Sequence, residues 1–288
     1  MKGRIEKASD TIDIIKEHGF VFQKKYGQNF LIDSHVLDKI ISAADISEED
    51  VVIEIGPGIG VLSQRIAEKA HKLIAIEIDK NLMPILAKTL FAYENVVLLN
   101  EDVLKVDLEA LIKKEAEGKR VKVVANLPYY ITTPIIMDLL ERKLKLDSIT
   151  VMIQKEVAQR LIAKPGTKEY GAISLAVAYY TDAVIVANVP SNSFIPRPSM
   201  SSAVIRLKLH EKAPVEPKDE KLMFALIRAS LNQRRKTLQN SLNNASGITF
   251  TKEVIAKAIR DSGFDERVRG ETLSLEDFVV LSDRLSKL

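Results

Sequence analysis

Residues 126–129 read Asn-Leu-Pro-Tyr and directly follow the apolar run 121–125. The side-chain amide of Asn126 offers a hydrogen-bond acceptor, and Pro128 fixes φ and lacks an N–H, so backbone carbonyls near it can face a ligand. Tyr129 offers an aromatic face for a base that has left its stack. The tetrapeptide therefore suits a planar ring that carries an amino group. Taken alone it also fits a plain strand-to-helix turn, because Asn and Pro are common in turns.

Three more segments could contribute to the same site. The glycines Gly56 and Gly58 lie in a Glu-Ile-Gly-Pro-Gly-Ile-Gly stretch between an apolar run and a helical one, where glycines permit a sharp turn close to a ligand. The next apolar run ends at Glu77, about 20 residues on, where an acidic side chain can bind both hydroxyls of a ribose. A third run ends at Asp102, whose carboxylate could accept from an adenine amino group. Each segment alone also fits a structural turn or a solvated loop.

The elements that would bring these residues together are short apolar runs rich in Val and Ile. Helical stretches separate them, and they span residues 51–56, 72–79, 95–102, 121–128 and 148–154. Alternating strands and helices predict a doubly wound parallel sheet, buried on both faces. The four segments follow carboxyl ends of these strands, where open α/β sheets bind ligands. Together they predict a site for an adenosine-bearing ligand beside a second planar substrate.

The rest of the chain predicts an antiparallel edge and a second domain. Runs 183–189 and 202–209 are joined by a Pro-rich loop without a helix, which gives seven strands with the last antiparallel. We expect a basic N-terminal arm over residues 1–24, an α/β domain over 25–209, a linker over 210–219 and a helical domain over 220–288. The helices predicted in the last domain span residues 220–231, 235–243, 252–262 and 275–288, with caps at Thr251 and Ser274.

The composition excludes several classes of site. The 288 residues include no cysteine, which excludes disulfides, thiolate metal sites and cysteine nucleophiles, and the four histidines form no ligand-spaced pair, so we expect no metal. No apolar run approaches the length of a membrane span and no secretory signal is present, so we expect a cytoplasmic protein. Residues 206–288 carry 16 Lys and Arg against 12 Asp and Glu, as expected of a part that meets a polyanion or of a solvated helical surface.

In chain order, these segments resemble the motifs of the KsgA-type small-subunit ribosomal RNA adenine dimethyltransferases, relatives of the Erm methyltransferases. The resemblance covers nearly the whole chain. Besides the four segments above, it rests on Lys-Lys-Tyr-Gly-Gln-Asn-Phe-Leu at 24–31, Ser-Phe-Ile-Pro-Arg-Pro at 193–198 and Asn-Gln-Arg-Arg-Lys-Thr-Leu at 232–238. It implies a Rossmann-like class I methyltransferase sheet with a small C-terminal all-helical domain, and S-adenosylmethionine as the cofactor.

The resemblance also implies a role for individual residues. Glu77 would hold the ribose hydroxyls of S-adenosylmethionine, Asp102 its adenine amino group, and Ile78 and Val103 would sandwich the adenine ring. The full cofactor set so implied is Gln28, Asn29, Leu31, Gly56, Gly58, Glu77, Ile78, Asp102, Val103 and Asn126.

The chemistry expected is methyl transfer to the exocyclic N6 of adenine. The methyl group is already activated, so positioning the weak nucleophile is the main task and no strong base is needed. The side-chain oxygen of Asn126 and a backbone carbonyl near Leu127 could hold the N6 hydrogens beside Pro128. Tyr129 and Phe194 would stack the flipped base, although Phe194 could instead be a core residue.

The substrate implied is two adjacent adenosines in the 3′-terminal hairpin of small-subunit (16S) ribosomal RNA, with a role in small-subunit biogenesis. The protein would act as a monomer on the 30S subunit or its precursor. Cations that could contact phosphates are Lys24, Lys25, Arg197, Arg234, Arg235 and Lys236, the last three on a predicted helix; each could also be a solvated surface charge. Four alternative functions remain open: an Erm-like enzyme acting on large-subunit RNA, a DNA adenine methyltransferase, a ribosome-assembly factor and a nicotinamide-dependent oxidoreductase.

Overall fold

The structure is a computed structural model that describes residues 4–5, 7–23 and 26–287. The strands in these residues are β1 (Phe30–Leu31), β2 (Asp50–Ile55), β3 (Lys72–Glu77), β4 (Val96–Asn100), β5 (Arg120–Asn126), β6 (Ser148–Gln154), β7 (Thr181–Val189), β8 (Phe194–Ile195) and β9 (Ser202–Leu209). The helices are α1 (Ala8–Glu17), α2 (Ser34–Ala44), α3 (Val61–Ala67), α4 (Met83–Thr89), α5 (Leu108–Glu115), α6 (Thr132–Glu141), α7 (Lys155–Leu161), α8 (Ala172–Tyr180), α9 (Glu220–Asn232), α10 (Leu238–Asn243), α11 (Lys252–Asp261) and α12 (Leu275–Leu285).

Seven strands form one mixed sheet in the order β4-β3-β2-β5-β6-β9-β7. The first five of these pair in parallel, and β9 runs antiparallel to β6. Strand β2 is buried along its whole length, as expected for a central strand covered by helices on both faces. The predicted fold class, with seven strands and an antiparallel edge, is confirmed.

The register of the parallel strands brings their carboxyl ends to one edge of the sheet. Ile55 at the end of β2 lies opposite Ile76 of β3 and Ala125 of β5. The last residues of β3 and β5, Glu77 and Asn126, are therefore one step further along on either side of β2. The loops that follow these strands meet at this edge, which is where the sequence placed the site.

A second, two-stranded sheet was not predicted. Phe30 and Leu31 of β1 pair antiparallel with Ile195 and Phe194 of β8, and the Ile32 N–H donates to the Ser193 carbonyl at 2.9 Å. Two residues are too few to show an alternating pattern, so periodicity could not indicate these strands. The pairing joins two sequence motifs that lie more than half the chain apart.

The chain divides into two compact units. The first runs to Ala158 and includes Ala183–Leu209; the second consists of Gln159–Asp182 and His210–Leu288. Residues 159–182 thus group with the C-terminal helices, although the sequence reading placed them in the α/β domain. The reason is packing: Tyr170, Leu175 and Tyr179 are buried in the core of the second unit, and the hydroxyl of Tyr170 donates to the Leu273 carbonyl at 2.7 Å.

Side-chain caps define the helices of the second unit. Thr251 Oγ1 accepts from the Val254 N–H at 3.4 Å and Ser274 Oγ from the Asp277 N–H at 3.2 Å, which confirms both predicted caps. The prediction that a helix begins at residue 235 was wrong. Helix α10 begins at Leu238, because Thr237 caps it by accepting from the Asn240 N–H at 3.4 Å.

No helix in the described part of the chain is long and apolar enough to cross a membrane.

Candidate active site

A single cavity of the first unit gathers the residues that the sequence singled out. Its walls come from residues 26–31, from the loops after β2, β3, β4 and β5, and from Phe194. The predicted cofactor and catalytic residues that line it are Gln28, Asn29, Leu31, Gly56, Gly58, Glu77, Ile78, Asp102, Val103, Asn126, Leu127, Pro128, Tyr129 and Phe194. The structure thus brings all of these residues to one place.

Glu77 is a buried carboxyl at the centre of this cavity, with a side chain that is only 5% exposed. Its Oε2 accepts from the Gly58 N–H at 3.2 Å and its Oε1 from the Asp79 N–H at 2.8 Å. Burial raises the pKa of Glu77 to about 7, against the effect of these hydrogen bonds. A carboxylate has about four acceptor positions, so these hydrogen bonds leave room for a ligand hydroxyl.

Gly58 has a structural reason to be glycine. Its φ is +62°, and a Cβ atom there would lie 3.1 Å from Cε1 of Phe30. Phe30 belongs to β1, so the glycine loop after β2 packs directly under the segment that carries the N-terminal motif. The same glycine presents its N–H to Glu77, which ties the loop to the end of β3.

Residues 26–31, which we call the strap, are held over the cavity by side-chain hydrogen bonds. Gln28 donates from Nε2 to Asp79 Oδ2 at 2.8 Å, and its Oε1 accepts from the Gln23 N–H at 2.8 Å. Asn29 donates from Nδ2 to the Gly27 carbonyl at 2.9 Å. In this structure both amide atoms of Gln28 and the Nδ2 of Asn29 therefore bind protein and shape the strap.

Asn126 has a defined amide orientation. Its Nδ2 donates to the backbone carbonyl of Asn29 at 3.1 Å. A carbonyl can only accept, so the NH₂ group must face the strap and Oδ1 must face the other way. The Pro128 carbonyl already accepts from Thr132 Oγ1 at 3.0 Å and from the Ile131 N–H at 3.2 Å. Asn126 Oδ1 is thus a better placed acceptor for an amino group than the Pro128 carbonyl.

Tyr129 and Phe194 form the aromatic part of the wall. The hydroxyl of Tyr129 hydrogen-bonds Ser202 Oγ of β9 at 2.7 Å, which fixes the ring, and burial raises the pKa of Tyr129. Phe194 is buried opposite Leu31 in the two-stranded sheet, within the main hydrophobic core. Its two predicted roles are compatible, since this core residue also lines the cavity.

Glu54 is a cavity residue that the assignment of site residues missed. Its side chain is 1% exposed, and its Oε2 has no hydrogen-bond partner among the described residues. Burial, together with the nearby charge of Glu77, raises the pKa of Glu54 to about 8. A signal existed in the sequence, because an acidic residue that is flanked by isoleucines in a central strand rarely lacks a partner. A positively charged amino group in the cavity would supply one.

The cations predicted to contact RNA lie in different parts of the structure. Lys24 and Lys25 lie outside the described residues. Arg197 is exposed in the loop before β9. Arg234, Arg235 and Lys236 lie in the turn between α9 and α10, not on a helix, because α10 begins only at Leu238.

Within this turn the three cations differ. Arg234 Nε lies 2.9 Å from Glu271 Oε2, and its guanidinium also donates to the carbonyls of Thr167 and Lys168. Its donors are thus used inside the second unit. Arg235 and Lys236 are exposed.

The family described as ribosomal RNA adenine dimethylase matches residues 19–286 of the chain. The chain belongs to this family. A ribosomal RNA small subunit methyltransferase A from Lachnoclostridium phytofermentans is 58% identical over 274 residues, which cover 95% of this chain and 94% of the relative. The protein of that name from Alkaliphilus metalliredigens is 50% identical, with 98% of both chains covered. The predicted family and enzyme class are confirmed.

Solved structures agree with a ribosomal RNA adenine dimethylase. A dimethyladenosine transferase from Plasmodium falciparum superposes with a TM-score of 0.74 at 26% identity and covers 88% of this chain and 95% of its own. The 23S rRNA methyltransferase ErmE shares the fold, with a TM-score of 0.67 at 22% identity over 90% of this chain and 100% of that chain.

The cavity of this ribosomal RNA adenine dimethylase fits S-adenosylmethionine, the cofactor expected for the family. The carboxylate of Glu77 would accept from the ribose hydroxyls, and that of the half-buried Asp102 from the adenine amino group. Ile78 is 44% exposed, and this open apolar surface beside Val103 suits an adenine ring. The buried Oε2 of Glu54 suits the amino group of the cofactor.

We expect the affinity for S-adenosylmethionine to fall as the pH falls through 7. The ribose hydroxyls donate to the carboxylate of Glu77, and its pKa of about 7 means that this form is lost below neutrality. By linkage, the dissociation constant should rise about tenfold from pH 8 to pH 6. Isothermal titration calorimetry of the wild type and Glu77→Gln measures this. The variant should bind more weakly at pH 8 and depend less on pH; an unchanged pH dependence would contradict the assignment.

Proposed function

We propose that this protein transfers methyl groups from S-adenosylmethionine to N6 of two adjacent adenosines in the 3′-terminal hairpin of small-subunit ribosomal RNA, giving N6,N6-dimethyladenosine. The observation that carries the chemistry is the fixed amide of Asn126, whose acceptor oxygen is turned away from the strap. The names of the relatives support the small subunit as the substrate, and not the large one. The protein acts as a cytoplasmic monomer on the small subunit or its precursor.

S-adenosylmethionine supplies an activated methyl group, so the protein must position and expose the N6 lone pair. Asn126 Oδ1 accepts an N6 hydrogen, which holds the amino group in the geometry where its lone pair is free and stabilises the charge that develops on N6. The nitrogen becomes acidic once alkylated and loses its proton readily, so no strong base is required. Tyr129, held by Ser202, and Phe194 provide the aromatic wall for the flipped adenine.

Replacing Asn126 should impair turnover far more than cofactor binding. We expect Asn126→Ala to lower kcat by at least about 100-fold, because it removes an interaction that strengthens in the transition state. Asn126→Asp keeps an acceptor oxygen but sets a carboxylate against the Asn29 carbonyl, and it should also lose activity. Single-turnover methylation and calorimetry with S-adenosylmethionine separate the two effects, with the exposed Asn188→Ala as the control. Equal losses of turnover and cofactor affinity in Asn126→Ala would refute the assigned role.

Arg235 and Lys236 contact RNA phosphates, together with Arg197. The support for this is their exposure, in contrast to Arg234, whose donors are already used. These contacts give affinity and salt dependence without sequence specificity.

The double substitution of Arg235 and Lys236 by Gln should flatten the salt dependence of RNA binding. Each lost phosphate contact should reduce the slope of log K against log[salt] by about 0.7 to 0.9. Fluorescence anisotropy at several salt concentrations measures the slope. The matched control replaces two exposed lysines of α11, Lys252 and Lys257, by Gln and should leave the slope unchanged. Equal slopes in the wild type and the Arg235/Lys236 variant would place the turn away from the RNA.

The proposed function is tested with labelled S-adenosylmethionine and small ribosomal subunits that lack adenine dimethylation, with large subunits as the control. We expect label in N6,N6-dimethyladenosine from the small subunit alone. Label in large-subunit RNA would contradict the proposed substrate and indicate an Erm-like enzyme. Binding to small subunits without transfer of label would contradict the proposed reaction and favour an assembly factor.

A further inference from the structure

Two consecutive tyrosines of the motif after β5 point to different parts of the site. Tyr129 is half-buried and bonded to Ser202 on β9. Tyr130 is 56% exposed and nevertheless lines the same cavity. None of the roles argued above for the cofactor, the adenine or the RNA uses Tyr130.

The ring of Tyr130 lies on the strap. Its Cδ1 and Cε1 atoms are 3.5 and 3.8 Å from the position that a Cβ atom of Gly27 would take, and Pro128 Cβ is 3.9 Å from the same point. These are van der Waals distances. Gly27 has a φ of +55°, a conformation that a side chain would strain, so the strap presents bare backbone to the ring.

Tyr130 lies on the cofactor side of the cavity. Burial of part of the ring raises the pKa of Tyr130, and the nearby Tyr26, Asp102 and Glu77, in that order, raise it further. Asp102 and Glu77 are the two acids that fit the adenine amino group and the ribose hydroxyls. The contact with Gly27 and the nearness of these acids together place the ring beside the adenosine part of the cofactor site.

The exposed surface of Tyr130 has a counterpart in Ile78. Both residues line the cavity, and both are exposed, Tyr130 by 56% and Ile78 by 44%. Covering exposed apolar surface in a cavity favours ligand binding, since each square ångström of it that is removed from water contributes roughly 25 cal/mol of free energy. A ligand that covers both side chains therefore gains from each of them.

We propose that Tyr130 is a positioning residue for the cofactor, which covers the adenosine part of S-adenosylmethionine and holds the strap at Gly27. The strap carries the Asn29 carbonyl that orients Asn126, so the ring also stabilises the arrangement around the target amino group. The inference rests on the proposed function, because it takes S-adenosylmethionine as the ligand of this cavity.

The test is calorimetric titration of S-adenosylmethionine into the wild type, Tyr130→Phe and Tyr130→Ala. Loss of an aromatic contact of this kind should weaken binding about 5- to 150-fold in Tyr130→Ala. Tyr130→Phe keeps the ring and should bind like the wild type. The matched control is Phe91→Ala, which truncates an aromatic residue that is 76% exposed and does not line this cavity, and it should change nothing. Tyr130→Asn serves as a second truncation if the alanine variant fails to fold.

A second readout separates this role from the alternatives. At saturating cofactor the KM for small-subunit RNA should be unchanged in Tyr130→Ala, and the midpoint of thermal unfolding without cofactor should match the wild type. Unchanged cofactor affinity in both truncations would overturn the proposal. So would an increased KM for RNA with normal cofactor affinity, since the ring would then stack on a nucleotide. A wild type that binds the cofactor but methylates no small-subunit RNA would refute the proposed function and leave the comparison at Tyr130 valid.

Discussion

The register of the parallel strands is the constraint on which the site depends. Strand β2 is paired on both sides, and this pairing sets the ends of β3 and β5 at matching heights. Glu77 and Asn126 can therefore lie in one cavity although 48 residues separate them in the chain. A slip of one residue would turn each side chain to the opposite face of the sheet. The buried Val and Ile of the strands thus determine where the polar atoms of the site lie.

Sequence reasoning found the parts of the site that follow from this constraint. Glu77, Asp102 and Asn126 could be predicted because each follows an apolar run, and the ends of parallel strands share one edge. The pairing of β1 with β8 could not, because two residues carry no period and their partners are distant in the chain. The hydrogen bond between Asn126 and the strap depends on that pairing, so the orientation of the amide became visible only in the structure.

The basic turn of the second unit shows another limit of sequence reasoning. Arg234, Arg235 and Lys236 are adjacent and chemically alike, so the sequence gives no ground for separating them. Helix α9 ends at Asn232, and the cap at Thr237 starts α10 only at Leu238, so the three cations lie in the turn between the two helices. Arg234 forms an ion pair with Glu271, a partner 37 residues away, and the other two cations stay exposed to solvent.

The domain boundary is a second limit. Residues 159–182 look like a continuation of the α/β pattern, and only their packing around Tyr170 and Tyr179 assigns them to the other unit.

The strap has a kinetic consequence for the proposed reaction. Dimethylation of two adenosines consumes four cofactor molecules, so a fully modified RNA requires three exchanges of cofactor between the four transfers. Gln28 ties the strap to Asp79, and the Asn29 carbonyl ties it to Asn126. An exchange that lifts the strap breaks both hydrogen bonds. It thereby frees the side-chain amide of Asn126, which is proposed to hold N6 of the target adenine. The number of methyl groups added in one encounter then depends on the rate at which the strap closes again relative to the rate at which the RNA dissociates. Processivity would therefore be set by this short segment.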